Sequence, residues 1–340
     1  MKSSVTQNDV AKEAGVTRSM VSYVICGNTD RSVAPETRQR ILDAIEKLGY
    51  RPNKAAQALQ QGDVAFASSK IGVILCNADV FLRPYYAEII SGIHTAAHES
   101  NYHISFIRFF EDLKDPVLFN TLIHEEEIGG LILLAVDQAI KTDEDRAIID
   151  KIKGRLKKIV CVEWQYEGLC SVMFDRRETA SKATECLFRD GYTDIVYIGQ
   201  NDERVEGVRQ ILSLHDLNSS PEYFYFAEAF DMSGGVAAID SISQGKKFPR
   251  AIVCGSDEVA IGVLSALNKR NIRVPEEVAV IGMDNIEMSE YTNPPLTTMN
   301  VQKKNMGARA VEMIVNNTCD QGENAIRIML PANIINRGSC

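Results

Sequence analysis

The sequence predicts a small α-helical head of helix-turn-helix type, then a short helix and linker, then an α/β body of two lobes on parallel sheets. Three observations predict this. Two short helical stretches meet at a glycine near the start of the chain. From Ile71 onward, apolar strand-like runs alternate with amphipathic segments of helix length. Charge also divides the chain: residues 1–60 carry nine Lys and Arg against six Asp and Glu, a balance of +3, whereas all 340 residues carry -9, which leaves -12 for the rest. A basic head on an acidic body is expected to meet a polyanion through the head alone, because phosphate repels the body.

The head is read from its caps. "TQND" (6–9) has the form of a capping box, in which Thr6 accepts from the amide of Asp9 and the Asp9 carboxylate reaches back. Val10, Ala11 and Ala14 supply the inner stripe of the helix that begins there, and Gly15 sits where a left-handed cap ends it. Thr17 caps the next helix, "TRSMVSYVI", which offers Met20, Val21, Val24 and Ile25 to a core and leaves Arg18, Ser19 and Ser22 outside, with Tyr23 beside them. Two helices joined by so tight a turn form the arrangement whose second helix enters the DNA major groove. A third helix follows in "PETRQRILDAIEKLGY", where Pro35 suits the first turn, Ile41, Ile45 and Leu48 recur at helical spacing, and Gly49 stops it.

Beyond Pro52, "NKAAQALQQ" has one apolar side chain of any size, Leu59. A helix this short is marginal alone and is expected to fold when something packs against it. The residues up to Lys70 read as connection.

In the body, runs such as "IGVIL" (71–75), "GLILLA" (130–135), "SVMFD" (171–175), "DIVYIG" (194–199), "AIVCGS" (251–256) and "VAVIGMD" (278–284) are nearly continuous apolar strands. Alternating with helices, they indicate parallel sheets covered on both faces. Their number is too large for one sheet, so two similar lobes are expected. Ligands of such sheets sit beyond the carboxyl ends of the strands. Glu163, Asp175, Asp257 and Asp284 fall at such ends, and Arg204 opens the helix after "DIVYIGQND".

Several function classes are excluded by what the chain lacks. There is no apolar run of about 18 residues to span a bilayer, and "MKSSVTQNDV" has no apolar signal-peptide core, so a cytoplasmic protein without a membrane partner is expected. No two glycines stand in G-x-G spacing, and neither a P-loop nor G-x-S-x-G occurs, so no enzyme and no cofactor are expected. His94 and His98 are spaced i, i+4 without a third ligand in register, and read as a surface pair rather than a metal site. Eight cysteines include no C-x-x-C pair and lie mostly in apolar runs, as reduced buried thiols do.

"VTQNDVAKEAGVTRSMVSYVICG", "VAPETRQRILDAIEKLGYRPNKAAQAL", "IVCGSDEVAIGVLSAL", "VPEEVAVIGMDNIEMSEYTNPPLTT" and the final "RGSC" together resemble the lactose/galactose repressor (LacI/GalR) family, from about residue 5 to the end. The resemblance implies a transcription regulator with a helix-turn-helix head, a hinge helix and a periplasmic-binding-protein-like body. Such a protein binds a palindromic double-stranded operator as a homodimer, and a small effector, usually a sugar, alters its DNA affinity. The implied division is 1–51 for DNA binding, 52–70 for hinge and linker, and 71–340 for effector binding and dimerisation. Its N-lobe would span about 71–162 and 296–324, its C-lobe about 163–295 and 325–340.

Residue by residue, the resemblance places Arg18 and Ser19 at base edges and Thr6, Thr17, Ser22 and Asn28 at phosphates. Tyr50 and Asn53 match further backbone contacts, Ala56 lies in the hinge helix, and Leu59 matches the leucine that wedges into the minor groove. Glu163, Arg204, Phe230, Asp257 and Asp284 match effector-pocket positions. The sequence departs from the family at Tyr23, where Arg is frequent, and at Met20, where a small Thr is common, and it carries Ala34 in place of a Ser cap. Three other classes were open to the residues: a regulator whose body answers to a partner protein, a cytoplasmic solute-binding protein, and an enzyme on the same scaffold. The basic head disfavours the solute-binding protein, and the missing catalytic motifs disfavour the enzyme.

Overall fold

The computed structural model describes residues 5–26, 33–48, 69–244, 248–319 and 321–340. The chain divides into two units, Met1–Phe66 and Ala67–Cys340. Asn28, Gly49, Tyr50, Asn53, Ala56 and Leu59, and with them the hinge segment up to residue 68, lie outside the described residues.

In the first unit the capping box forms as the sequence predicts. Thr6 N–H donates to Asp9 Oδ2 at 2.8 Å, its hydroxyl donates to the same oxygen at 2.7 Å, and α1 (Gln7–Ala14) begins. Gly15, at φ +64°, ends α1 in the left-handed region, and Val16 N–H returns to Ala11 O at 2.9 Å. After this turn Thr17 Oγ1 accepts from Met20 N–H at 3.4 Å and α2 (Arg18–Cys26) starts. Then α3 (Pro35–Leu48) closes a core of Val10, Ala11, Ala14, Val21, Ile41 and Ala44, with Val24, Ile45 and Leu48 packed against it. Met20 is corrected: it is 40% exposed, because Val21 takes the inward position and the preceding residue turns outward.

The second unit carries two six-stranded sheets. The chain runs β1 (Lys70–Leu75), α4 (Pro84–Glu99), β2 (His103–Phe109), α5 (Pro116–Leu122), β3 (Gly130–Leu134), α6 (Asp143–Arg155), β4 (Ile159–Val162) and β5 (Cys170–Phe174). It continues through α7 (Arg176–Arg189), β6 (Ile195–Gly199), α8 (Glu203–Leu214), β7 (Phe224–Phe226), α9 (Met232–Ser243), β8 (Ala251–Cys254), α10 (Asp257–Lys269) and β9 (Ala279–Asp284). It ends with β10 (Thr297–Asn300), α11 (Lys303–Val315), β11 (Arg327–Leu330) and β12 (Asn333–Ile335). The N-lobe sheet has the order β11-β5-β4-β3-β1-β2 and the C-lobe sheet β12-β10-β9-β8-β6-β7. Every pairing is parallel except β10 with β12.

Three segments change lobe relative to the expected boundaries. β5 and β11 belong to the N-lobe sheet, and β10 belongs to the C-lobe sheet. The chain therefore crosses between lobes after β5, after β10 and after β11. The physical reason lies at 163–169, where β4 returns to its own sheet in parallel without a crossover helix, a link that reads in sequence as a change of lobe. Helix α11 crosses back and packs on α4, where Gly92 and Gly307 face each other's helix. A Cβ at Gly92 would meet Lys304 O at 2.1 Å, and one at Gly307 would meet Ile89 O at 2.3 Å, so neither position has room for a side chain.

Candidate functional site

Two groups of polar residues stand out, one in each unit. On the head, Thr17, Arg18 and Ser19 are exposed at the start of α2, and Ser22 and Tyr23 are half-buried one turn further on. Arg18 is exposed, and its Nε donates to Gln7 Oε1 at 3.4 Å. Thr6 is exposed beside them, its hydroxyl engaged by Asp9. A row of small polar groups led by one Arg, at the N-terminal end of a helix, has the size and donor set that read base edges in a major groove.

In the body, the strand ends of both lobes face one cleft, a cavity of about 50 Å³. Glu163 follows β4 at φ +73° and is buried. Its Oε2 lies 3.2 Å from Arg176 Nη2, which also donates to Glu163 O at 2.8 Å, while Arg176 Nη1 stands 3.6 Å from Glu203. Arg204, in the first turn of α8, is 5% exposed, and its Nη1 is paired with Asp202. Its guanidinium lies 5.4 Å from the ring centroid of Phe230 and 5.8 Å from that of Phe174. Asp284 closes β9 at φ +116°, a strained position for a residue with a Cβ, and burial together with the neighbouring Asp257 charge pushes its carboxyl well up. Buried Lys303, the first residue of α11, donates to the carbonyls of Asp284 and Asn285 and lies 3.4 Å from Glu88.

The N-lobe adds residues that the sequence did not single out. Arg83 crosses to the C-lobe: Nε and Nη2 donate to Glu258 Oε2 at 2.9 and 2.7 Å, and Nη2 donates to Phe230 O at 2.5 Å. Gln138 Nε2 donates to Tyr86 Oη at 2.7 Å, and burial raises the Tyr86 phenol to about 12. Tyr85 stands edge-on to Tyr86 at 5.2 Å. Four buried polar atoms of this cleft have no hydrogen-bond partner: Tyr85 Oη, Glu163 Oε1, Arg176 Nε and Arg204 Nε. An unpartnered buried polar atom costs about 1–3 kcal/mol, so four around one cavity form a site built for a polar occupant.

Of the five body residues matched to effector-pocket positions, Glu163, Arg204, Phe230 and Asp284 are brought together here, whereas Asp175, also at a strand end, caps α7 instead. Asp257 is corrected: it is fully buried beneath the cleft and does not line it. Its Oδ1 accepts from the Thr298 hydroxyl and its Oδ2 from Ile286 N–H at 2.9 Å, so it holds the 284–286 turn from below. Burial pushes its carboxyl up to about 7 against those two hydrogen bonds. A larger groove of about 490 Å³ lies between α5 and α6, where Arg155 is paired with Asn120, and Lys114 with Glu111 and Asp145.

A head shaped to read DNA and a two-lobed body with unpartnered polar atoms gathered in the cleft between its lobes are the features of a ligand-responsive transcription regulator. Residues 6–53 match the family model of bacterial regulatory proteins, lacI family, and residues 184–340 match that of a periplasmic binding protein-like domain. The head thus carries a DNA-binding domain of the lacI family and the body a periplasmic binding protein-like domain, and the chain is a DNA-binding transcription regulator. Among its relatives, the HTH-type transcriptional repressor PurR of Aliivibrio salmonicida (strain LFI1238) is 28% identical over 93% of both chains. The PurR of Vibrio cholerae serotype O1 (strain M66-2) is 28% identical over 93% of this chain and 92% of its own. The fold is also that of the lac repressor dimer bound to operator and the anti-inducer ONPF, with TM-score 0.75 and 20% identity over 99% of both chains. The transcriptional regulator CelR–cellobiose complex gives TM-score 0.67 and 24% identity over 99% of this chain and 100% of that one. No described helix is long and apolar enough to cross a membrane.

Proposed function

We propose that this protein is a cytoplasmic repressor that binds a palindromic operator as a homodimer and changes its operator affinity when a small sugar is enclosed between its lobes. The observation that carries the reading is the set of four orphaned polar atoms around the interlobe cavity. Sugar hydroxyls both donate and accept, so one polyol satisfies the two guanidinium N–H groups, the phenol and the free carboxylate oxygen together. The Phe230 ring, already flanked by Arg83 and Arg204, supplies an apolar face. In this structure the cavity has room for one or two waters. Entry of a sugar therefore requires the lobes to part at the Arg83–Glu258 pair.

On DNA, α2 enters the major groove with Arg18 and Ser19 at base edges, an Arg being suited to guanine N7 and O6. Thr6, Thr17 and Ser22 then anchor phosphates, joined in the same reading by Asn28, Tyr50 and Asn53, and Tyr23 shifts operator preference. In the hinge, Ala56 and Leu59 meet the minor groove, with Leu59 as the wedge.

Footprinting on the DNA upstream of the protein's own and neighbouring genes, repeated with a panel of mono- and disaccharides that includes cellobiose, tests both halves. Protection of a palindrome that one sugar strengthens or releases is the expected result. Protection unaffected by every sugar, combined with a thermal shift by a ligand of another class, overturns the sugar reading and leaves the operator reading standing.

A further inference from the structure

The strands at which the chain changes lobe lie together in both sheets. β11 and β5 occupy one end of the N-lobe order, and β12 and β10 occupy one end of the C-lobe order, so the hinge of the body runs along that edge. Displacement grows with distance from a hinge, and polar contacts at the edge survive a swing that contacts further out do not. Two such contacts are at the edge. Arg176, just past β5, donates to Glu163, and Lys303, just past β10, donates to the carbonyls of Asp284 and Asn285.

Among the described residues, one salt bridge joins the lobes away from a crossover, Arg83 with Glu258. Arg83 stands on the link from β1 to α4, and Glu258 is in the first turn of α10, after β8. In the sheet orders β4 and β3 separate β1 from β5, and β9 separates β8 from β10. At about 4.8 Å between neighbouring strands, the pair lies about 10–14 Å from the hinge edge. It is closely made. Arg83 Nε and Nη2 donate to the same Glu258 oxygen at 2.9 and 2.7 Å, and Nη2 also donates to Phe230 O at 2.5 Å. The guanidinium carbon lies 5.7 Å from the centroid of the Phe230 ring. The Glu258 side chain is 9% exposed, so salt and water screen the pair little on that side.

We propose that Arg83 is the clasp of the interlobe cleft: by tying its own loop to Glu258 and Phe230 of the C-lobe it holds the mouth shut, and its release is the step that admits a ligand. This rests on the reading that the cleft takes a ligand. It adds that the chain itself, through one ion pair, sets how often the cleft stands open, so that a ligand must outcompete Arg83 as well as fill the site. Arg83 competes directly, because it covers the Phe230 ring that supplies the apolar face of the pocket.

The test is hydroxyl-radical footprinting of the full chain with no ligand added, read at single side chains by mass spectrometry. Tyr85 and Tyr86 line the cleft and are 7% and 8% exposed, Tyr291 is 76% exposed, and Tyr197 is fully buried and reports on folding. In the wild type, Tyr85 and Tyr86 should react far more slowly than Tyr291. Arg83→Gln and Glu258→Gln each remove one charge and keep a polar side chain. Each is expected to raise oxidation of Tyr85 and Tyr86 about tenfold, the population shift that loss of a charged hydrogen bond gives, with Tyr197 unchanged. The double variant should do no more than either single one, because both break the same tie. Unchanged oxidation of the two tyrosines in Arg83→Gln, or single effects that multiply in the double variant, overturns the proposal. So does a wild type in which they react as fast as Tyr291, whether or not a variant folds. Because no ligand is added, failure of the sugar reading in the operator footprint leaves this result standing.

Discussion

The head and the interlobe cleft solve opposite problems with similar residues. On α2, Arg18 and Ser19 are exposed, Arg18 making one long hydrogen bond to Gln7. In the cleft, Arg204, Glu163 and Asp284 are each buried to within a few per cent, held by ion pairs, ring stacking and strained backbone. An extended polyanion brings its own charge and geometry, so a reader of DNA needs only a row of groups facing out. A small molecule must be surrounded, and each polar group that surrounds it must be desolvated beforehand. The head should therefore tolerate substitution in its folding and lose only recognition. The cleft should couple recognition to stability.

The largest expected effect is in the cleft. Arg204→Ala removes an Nε–H that awaits a ligand and leaves Asp202 Oδ2 without its ion-pair partner. Breaking a buried, charged hydrogen-bonded pair costs about 3–5 kcal/mol. Affinity for whichever sugar proves active in the footprint should fall at least about a hundredfold in calorimetry, with operator binding by the ligand-free protein unchanged. If operator affinity falls in parallel, the two units are not separable in the way the comparison holds.

A second effect belongs to the layer beneath the cleft. Asp257 titrates at about 7 in the folded chain because it is buried, above its ordinary value of 3.8. The folded state therefore keeps a proton that the unfolded state releases. The stability tied to that proton is fully present below about pH 4, declines as the pH rises, and is gone above about pH 7. Asp257→Asn removes this component. The gap in melting temperature between wild type and variant should narrow in the wild type's disfavour between pH 4 and 7 and stay flat above. A pH-independent gap would place the Asp257 proton elsewhere.

Third in size is Arg18→Ala on the head. A bidentate Arg–guanine contact is worth about 1–3 kcal/mol of discrimination. Gel-shift titration should show a ten- to hundredfold loss on the operator, confined to one base pair of each half-site, with no change in melting. A uniform loss over all sequences would reassign Arg18 to phosphate.

How much of this was legible in the sequence follows the same division. The capping box at Thr6 and Asp9, the left-handed Gly15 and the Pro35 start are local signals, and each stands in the structure where the sequence puts it. Apolar runs located the strands, but not which sheet β5, β10 and β11 join, because short parallel strands of both lobes look alike. In the cleft, residues at strand ends were legible, whereas Arg83, Tyr85 and Arg176 were not. Arg83 finds Glu258 175 positions away and in the other lobe, a contact that no spacing announces. Asp257 carried the right residue type for the pocket, yet the fold turned it inward onto Thr298 and Ile286.

The smallest effect tests Thr6, where folding and recognition meet in one side chain. Its hydroxyl and its backbone N–H donate to the Asp9 carboxylate and hold it below its usual range, and its oxygen accepts from Asp9 N–H at 3.4 Å. Losing such a cap costs about 1 kcal/mol. Thr6→Ala should lower the stability of the head by that amount in denaturant titration, and Thr6→Ser, which keeps both bonds, should restore it. Operator affinity should fall no further than the lost helix stability accounts for if the hydroxyl serves the cap alone. A larger drop, rescued by Ser, assigns the same oxygen to an operator phosphate as well, and would make Thr6 the one residue where the head, like the cleft, couples recognition to stability.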